Sequence, residues 1–436
     1  GAIEGDDAMN ELLSRNGPTR RDFLRVSAGT AALVPITVLS EWTDKGHVSQ
    51  EDWVRTARRQ IPATSESSYF QTGGAGPSPK VVTDVVTERL VHQNRGPADP
   101  VFSAEMADIE PRLRAYLADT FGVERTGVAL THSTSEGISI AAWGVSWKPG
   151  DEVVISNQEH PANVIPWYVL RDRFGIVIRG IDLDVGSDWE SEVRDVLSPR
   201  TRMVSLSHIS RNNGRRLRSE ACAELGQFLR SRSVLFHLDG AQGPGCIPIN
   251  FRTLGCDCYS TCGHKWLMGP KGTGALFVRE DQLDNIQLSW AGSHSHAAMD
   301  YDGSYSLIPS AARYEFGTRA LADFAGFQRA VEWMTEIGWD RIHQRIQDLV
   351  GYAIERTNES AQLHVGSPKS EEDRSGVFVV RLPAGCDANK VYEQLGVGPR
   401  IVTSPVRQEG DLRLAIHFFN TKQEIDSALH TIERAC

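Results

Sequence analysis

The chain has 436 residues, 40% of them hydrophobic and 23% charged, which is enough apolar material for one large domain with a second, smaller one. The net charge of −10 and the absence of any long Lys/Arg run argue against nucleic acid as a principal partner. The only cysteine cluster, "CDCYSTC" at 256–262, has no second half with the spacing of a zinc site. Buried thiols, and no metal site, are therefore expected there.

The first fifty residues differ from the rest and contain "TRRDFLRVSAGTAALVPITVLS". The pair Arg20 and Arg21 followed by Phe23 and Leu24 resembles a twin-arginine export signal. The apolar stretch at 26–39 is too short for a stable membrane span. The pattern predicts a periplasmic or otherwise extracytoplasmic protein. An amphipathic N-terminal helix on a cytoplasmic protein is the alternative, because no clear Ala-x-Ala cleavage site follows.

From "SSYFQTGGAGPSP", which begins at residue 67, the chain alternates short apolar runs with helical patterns such as "EGISIAAWGVSW" and "EACAELGQFLRSRS". Strands that alternate with helices are typical of an α/β fold with a mostly parallel sheet. The runs that read as strands are "TGVAL", "DEVVIS", "GIVIRGIDL", "TRMVSLS", "SVLFHLD" and "GALFVR".

The pattern changes after "YEFGTRALADF", where longer helical stretches precede the apolar runs "GVFVVRLP" and "LRLAIHFF". This change predicts a smaller α+β domain at the C-terminus. The expected organisation is an N-terminal extension at 1–50, a large domain at 51–325 and a small domain at 326–436.

Polar residues follow several predicted strands, and parallel sheets bind ligands at the carboxyl ends of their strands. Asp239 ends one strand and His160 follows another. Thr134 and Ser135 follow a third strand and open a helix, whose free N–H groups and positive dipole end suit a phosphate. We therefore expect these side chains at one edge of the sheet.

Lys265 lies in "STCGHKWLMGP", a small, apolar and turn-forming setting, although only eight of the 46 basic residues are lysines. An amine, an acid, a flat ring and a phosphate cradle are what pyridoxal 5′-phosphate (PLP) requires of a protein. Lys265 would form a Schiff base with the cofactor aldehyde, and Asp239 would keep its pyridine nitrogen protonated. His160 would stack on the ring and Gln242 would donate to its oxygen. Each residue alone has an ordinary structural alternative, so the hypothesis depends on their order and spacing.

The chain resembles the class V aminotransferase group of PLP enzymes, of fold type I, which includes cysteine desulfurases and isopenicillin N epimerase. The resemblance implies a large seven-stranded sheet domain and a homodimer with active sites at the subunit interface. It places Thr134, Ser135 and His264 near the phosphate, with Thr318 reaching the phosphate of the second subunit. Arg413 would receive the substrate's α-carboxylate through a bidentate pair. The matching stretches are "STSEG", "EHPANVIPW", "HLDGAQ", "GHKWLMGPKGTG", "YEFGT" and "RLAIHFFNT".

Two departures from the family pattern concern the same site. Cys262 stands where relatives carry a serine that binds the phosphate, and a thiol is a weaker donor. The stretch "SHISRNNGRRL" keeps His208 and Ser210 of the expected cofactor site but places Arg211 where desulfurases have a small polar residue. Arg211 either binds a second acidic group of the substrate or points to solvent.

The stretch "GVGPRIVTSPVRQEGDLR" contains no cysteine, which argues against persulfide transfer as in desulfurases. The remaining expectation is an enzyme that acts at the α-carbon of an amino acid or of a peptide-like substrate. An exported member of the group resembles the periplasmic PLP enzyme of pyoverdine maturation, which suggests tailoring of a secondary metabolite such as a peptide siderophore. Transamination, oxidative deamination and epimerisation stay open. So do β-elimination as a C–S lyase and a non-catalytic scaffold on the same fold.

Overall fold

A computed structural model describes residues 50–398, 400–406 and 410–436. The proposed export signal lies outside the described residues, as does the N-terminal extension except for residue 50. The described residues belong to one compact unit. No helix in the described ranges is long and apolar enough to cross a bilayer.

The strands lie in short apolar runs, many of them rich in Val, Ile or Leu. Such residues pack well on a pleated, buried surface. The strands are β1 (Ser68–Tyr69), β2 (Val128–Thr131), β3 (Glu152–Ser156), β4 (Val177–Ile181), β5 (Thr201–Ser207), β6 (Leu235–Asp239), β7 (Cys258–Cys262), β8 (Gly274–Val278), β9 (His296–Met299), β10 (Tyr305–Leu307), β11 (His364–Val365), β12 (Val377–Arg381), β13 (Ile401–Val402), β14 (Ser404–Val406) and β15 (Asp411–Ala415).

The helices have several end signals that are visible in the sequence. The last one begins with a capping box, in which Thr421 and Glu424 satisfy each other's backbone N–H groups. The helices are α1 (Gln50–Arg59), α2 (Ala63–Glu66), α3 (Lys80–Gln93), α4 (Pro100–Ala107), α5 (Ile109–Phe121), α6 (Thr134–Trp143), α7 (Ile165–Phe174), α8 (Trp189–Val196), α9 (Ser219–Arg230), α10 (Phe251–Leu254), α11 (Leu321–Ile337), α12 (Trp339–Glu359), α13 (Ala388–Val397) and α14 (Lys422–Ala435).

The central sheet has seven strands in the order β2-β8-β7-β6-β5-β3-β4. The strands from β7 to β4 run parallel, and β8 is antiparallel to both of its neighbours. This mostly parallel sheet confirms the predicted α/β class. Each of the six predicted runs overlaps a strand of this sheet, and five of them contain the whole strand. The seventh, β7, was not predicted as a strand and is buried along its whole length.

A second sheet is antiparallel, in the order β11-β12-β15-β14. The predicted strand "LRLAIHFF" is too long, because β15 ends at Ala415. The N–H of Ile416 still donates to the Gly376 carbonyl in the same register, but the next residues turn away from the ladder, with the N–H of Asn420 donating to the His417 carbonyl at 3.0 Å. Residues 68–71 join this part of the molecule, since β1 pairs with β13 and Gln71 bridges to Ala415. The division at 325/326 falls inside α11 and stays a prediction.

The seven cysteines divide into two groups. Cys256, Cys258 and Cys262 are free and buried, as predicted for the cluster, and so are Cys222 and Cys246. Cys386 and Cys436 form a disulfide that the sequence analysis did not predict. It ties the residue two positions before α13 to the residue that follows α14.

Candidate active site

The parallel strands bring the predicted site residues to one edge of the central sheet. Asp239 is the last residue of β6 and pairs in register with Ser207, the last residue of β5. His160 follows the end of β3 by four residues, and Lys265 follows the end of β7 by three. Because these four strands are neighbours and parallel, their carboxyl ends converge on the same place.

Lys265 lies in a tight turn. The N–H of Met268 donates to the Lys265 carbonyl at 3.0 Å, and Met268 has a φ of 56°, in the left-handed region. The N–H of Gly76 donates to the His264 carbonyl at 2.7 Å. A Cβ on Gly76 would come within 2.0 Å of the Lys265 carbonyl oxygen, so only glycine allows this approach. The Lys265 side chain is half-buried, whereas that of Lys271 is exposed.

Asp239 is a buried carboxyl group beside Lys265. One of its oxygens accepts the N–H of Ala241 at 2.9 Å, which orients the group. Burial raises the pKa of Asp239, while the Ala241 hydrogen bond and the positive charge of Lys265 act in the opposite direction. A cation that binds against this carboxyl would stabilise its charged form.

His160 presents a neutral imidazole to the site. Its Nδ1 accepts the N–H of Ala162 at 3.0 Å, which places the ring proton on Nε2. Burial, and then the nearby positive charges of Lys265, Arg211 and Arg413, lower the pKa of His160 to about 4. A neutral flat ring is suited to stacking on another planar group.

The residue before His160, Glu159, anchors this loop to the sheet. Its carboxyl accepts the amide of Asn163 at 2.7 Å, and both the N–H (3.0 Å) and the hydroxyl (2.7 Å) of Ser207. Burial raises the pKa of Glu159, and these hydrogen bonds oppose the rise. Glu159 and Asn163 lie within the quoted stretch "EHPANVIPW", but the sequence analysis assigned neither of them a role.

Gln242 connects two other segments of the site. Its Nε2 donates to the Gly73 carbonyl at 2.9 Å, and its Oε1 accepts the indole N–H of Trp266 at 2.7 Å. A side-chain amide carries two N–H groups. One of them is used by Gly73, so the other can still donate to a bound group, as the prediction requires.

The expected phosphate end is formed by α6, β7 and the turn of Lys265. Thr134 and Ser135 are the first residues of α6, and Ser133 caps the helix by accepting the N–H of Glu136 at 3.3 Å.

Two further side chains, the thiol of Cys262 and the imidazole of His264, close this end together with the hydroxyl of Thr134. The Thr134 hydroxyl is buried beside the Cys262 thiol but forms no well-formed hydrogen bond within the described chain. Nδ1 of His264 is likewise buried and has no hydrogen-bond partner there. Buried polar atoms are normally paired, so these two are suited to a polar ligand. Ser135 is exposed, and Cys262 contacts the Ala241 carbonyl at 3.9 Å.

Arg413, on β15, is 4% exposed. Its guanidinium donates to Oε1 of Gln71 at 2.9 Å and to the backbone carbonyl of Arg211 at 3.5 Å. Its Nε has no partner, and none of the described carboxylates forms an ion pair with it. Burial, and then the charge of Arg211, lowers the pKa of Arg413 to about 10, so it is still a cation at neutral pH.

The three other residues predicted for the cofactor site have the following surroundings. The His208 ring is fully buried against Tyr259, with its Nδ1 3.0 Å from the phenol oxygen. Ser210 accepts the N–H groups of Asn212 and Asn213, both at 3.2 Å, and so shapes the turn that carries Arg211. Thr318 is exposed on the single chain, and its reach into a second subunit stays a prediction.

Known proteins resemble this chain in fold and, over most of its length, in sequence. Among curated relatives, a probable cysteine desulfurase of Mycolicibacterium paratuberculosis is 28% identical over 84% of this chain and 55% of its own length. This chain thus spans about half of that relative. The isopenicillin N epimerase of Streptomyces clavuligerus is 28% identical over 86% of this chain and 96% of its own. A solved complex of the cystine C-S lyase C-DES with its product, cysteine persulfide, has a TM-score of 0.81 and 25% identity over 86% and 99% of the two chains.

The residues present fit PLP. They supply a lysine amine, a buried carboxyl, a neutral imidazole and a helix N-terminus with unpartnered polar atoms beside it. The pattern that defines the family Aminotransferase class-V matches residues 68–427, most of the chain. The chain therefore belongs to the class V aminotransferase family, a family of PLP-dependent enzymes.

Proposed function

We propose that this protein acts at the α-carbon of an amino acid, or of an amino-acid moiety with a free α-carboxylate, and tailors a secondary metabolite such as a peptide siderophore. Transamination, oxidative deamination and epimerisation are the reactions this proposal covers. One observation carries the substrate class: Arg413 is a buried cation without a carboxylate partner in the described chain. A bound α-carboxylate would supply that partner through a charge-assisted, bidentate pair.

Each remaining residue of the site has a role in this proposal. When bound, PLP supplies an electron sink for the bonds at the substrate's α-carbon. Asp239 would keep the pyridine nitrogen protonated, and His160 would hold the ring by stacking. Lys265 would attach the cofactor and then move a proton at the α-carbon as a general base. Thr134, Ser135, His264 and Cys262 would hold the phosphate, and Gln242 would donate to the ring oxygen.

The cysteines argue against persulfide transfer. All seven are accounted for, five of them buried and two in the disulfide, so the folded protein presents no free exposed thiol. The similarity to the C-S lyase C-DES favours a second candidate, β-elimination of a sulfur-bearing amino acid. Such an elimination would need no catalytic cysteine on this chain.

Product analysis with the purified holoenzyme distinguishes these reactions. A keto acid without sulfide or persulfide would indicate transamination or deamination, and inverted configuration would indicate epimerisation. Sulfide or persulfide released together with a keto acid and ammonia would indicate elimination. A colourless protein that PLP cannot reconstitute would instead favour a non-catalytic scaffold.

Replacing Arg413 tests the substrate class. We expect Arg413→Ala to raise KM for a substrate with a free α-carboxylate by ~10–100-fold, because one charge-assisted pair worth about 1.5–3 kcal/mol is lost. Steady-state kinetics measures this effect. Arg381→Ala is the matched control, since Arg381 lies on the neighbouring strand β12 with an exposed side chain, and its KM should not change. An unchanged KM in Arg413→Ala would show that the carboxylate binds elsewhere.

The proposal also includes export from the cytoplasm, and the disulfide supports it. Disulfides persist in oxidising compartments such as the periplasm and are rare in the cytosol. Cys386 and Cys436 pair in the folded protein, and the pair Arg20 and Arg21 has the form of an export signal for folded proteins. Both features suit a PLP protein that folds around its cofactor and is then transported.

Replacing Arg20 and Arg21 with lysine tests export. We expect the double variant to remain in the cytoplasm, still yellow and active, because the signal is recognised by a receptor and contributes nothing to the active site. Cell fractionation followed by immunoblotting measures its location. A wild-type protein found in the cytoplasm, with a truncation to residue 50 that lowers Tm, would instead favour a structural N-terminal helix.

A further inference from the structure

We infer that Gln71 is a positioning residue, whose side-chain amide holds the Arg413 guanidinium in place for the substrate's α-carboxylate. This inference deepens the proposed function and rests on it, since it takes Arg413 as the group that binds that carboxylate. Gln71 lies between β1 and α3 and is half-buried. No role was predicted for it from the sequence.

The first observation is a direct contact with the guanidinium. Oε1 of Gln71 accepts a hydrogen bond from Nη2 of Arg413 at 2.9 Å. On its other side, Nε2 of Gln71 donates to the backbone carbonyl of Thr403 at 3.1 Å. An amide that has a donor at its oxygen and an acceptor at its nitrogen cannot be turned over without losing both bonds. The oxygen of Gln71 is therefore held toward Arg413.

The second observation is that the backbone of Gln71 is fixed relative to the strand that carries Arg413. Gln71 forms a parallel bridge with Ala415, which lies two residues after Arg413 on β15. The Gln71 carbonyl accepts the N–H groups of Gly74 at 2.8 Å and Ala75 at 3.0 Å. Both ends of the contact between Gln71 and Arg413 are thus anchored by backbone hydrogen bonds.

The third observation is that the same segment reaches the expected cofactor. Segment 71–76 begins at the side chain that contacts Arg413 and ends at Gly76, whose N–H donates to the His264 carbonyl at 2.7 Å. The next residue after His264 is Lys265. The segment therefore fixes the carboxylate-binding arginine relative to the lysine, as a substrate with its amine and its carboxylate on one carbon requires.

The fourth observation is that Gln71 orients a cation without neutralising it. The two groups that accept from Arg413 in the described chain, the Gln71 amide and a backbone carbonyl, are both uncharged. Nε of Arg413 has no partner there. The positive charge and part of the donor fork are thus left for a substrate carboxylate. A carboxylate at position 71 would instead pair with Arg413 and compete with the substrate.

Titration of the purified holoenzyme with matched ligands tests this inference. The probes are L-alanine against L-alaninamide and L-methionine against L-methioninamide, because each pair differs at the α-carboxylate alone. Kd is measured from the change in cofactor absorption, which requires no turnover. For the wild type we expect the acid of at least one pair to bind ~10–100-fold more tightly than its amide, as one charge-assisted pair gives. Comparing this ratio between variants cancels the difference between the amines of acid and amide.

Variants then assign the effect to Gln71. Gln71→Met keeps the shape but loses both hydrogen bonds, and the ratio should fall about fivefold, as one positioned hydrogen bond gives. In Gln71→Glu, acid and amide should bind within about twofold of each other, because the new carboxylate pairs with Arg413. Arg413→Ala should also remove the preference. Gln227, exposed on α9, is the matched control, and Gln227→Met should keep the wild-type ratio.

A purely structural role of Gln71 predicts a different result. Loss of a brace between two segments would lower Tm and weaken acid and amide alike, so their ratio would not change. A residue that acts through Arg413 changes the ratio only while Arg413 is present. Adding Gln71→Met to Arg413→Ala should therefore leave the ratio of the single Arg413 variant unchanged.

Two results would overturn the inference, and they have different meanings. A preference that persists in both Gln71 variants but is lost in Arg413→Ala would show that Gln71 does not position the guanidinium, while the proposed function stands. A wild type that binds acids and amides equally, or binds none of the four ligands, would contradict the role of Arg413, and the inference would fail with it. Either Gln71 variant is sufficient for the test, so misfolding of one of them does not remove it.

Discussion

Lys265→Ala is expected to abolish the covalent attachment of the cofactor and to lower the turnover rate by ~10²–10⁴-fold, the range that a positioned acid or base contributes. The physical reason is that Lys265 holds the primary amine at the site, beside Asp239 and His160. Alanine offers neither a nucleophile for the cofactor aldehyde nor a group that can carry a proton. Because the Lys265 side chain is half-buried, its removal should leave the fold intact.

Three measurements check this result. The yellow colour of the attached cofactor should be lost, and the thermal melt of the apoprotein should be unchanged. After borohydride reduction of the wild type, peptide mapping should find the cofactor on the peptide that contains Lys265. Lys271→Ala is the matched control, since Lys271 lies six residues away with an exposed side chain, and it should keep both colour and activity. Colour that survives in Lys265→Ala would place the attachment on another lysine.

Cys386→Ser is expected to lower the free energy of unfolding by about 4 kcal/mol, which should appear as a clear decrease in Tm. The disulfide closes a segment of 50 residues. On the chain-entropy model, a loop of about this length restricts the unfolded chain by roughly that amount. The bond joins Cys386, just before α13, to Cys436, just after α14. The loss of stability should therefore affect the C-terminal part of the protein, far along the chain from Lys265.

Thermal and chemical denaturation with and without reductant provides the control. Reductant should lower the Tm of the wild type to that of Cys386→Ser and leave the variant unchanged. Cys386→Ser combined with Cys436→Ser should be no less stable than the single variant, because both lack the same bond. A wild-type Tm that does not respond to reductant, with free thiols detected at both positions, would show that the disulfide does not form.

The sequence was sufficient to predict the class of fold and the cofactor. Each of the six predicted strands overlaps a strand of the central sheet, since runs such as "DEVVIS" combine β-branched residues with clear boundaries. Once parallel strands are predicted, Asp239 and His160 must lie at their carboxyl ends. A lysine in a glycine-rich turn then completes a set of groups that few cofactors other than PLP require.

Strand β7 is different, because its sequence "CYSTC" has no recognisable pattern. It is buried along its whole length, so no alternation of polar and apolar residues marks it. Its polar residues are satisfied only by partners far along the chain: Ser260 hydrogen-bonds His237 at 2.9 Å, and Thr261 donates to the Gly240 carbonyl at 3.2 Å. Such partners cannot be identified before the strands are aligned.

The amino-acid sequence by itself thus determined which residues can perform the chemistry, because residue type and strand ends are local properties. Only the tertiary structure decided which side chains meet. It paired Cys386 with Cys436 among seven cysteines, and it placed Arg211 beside Arg413, about 200 residues away. The physical reason is that these contacts depend on how the two sheets and the turns between them pack, and packing joins residues that no local pattern connects.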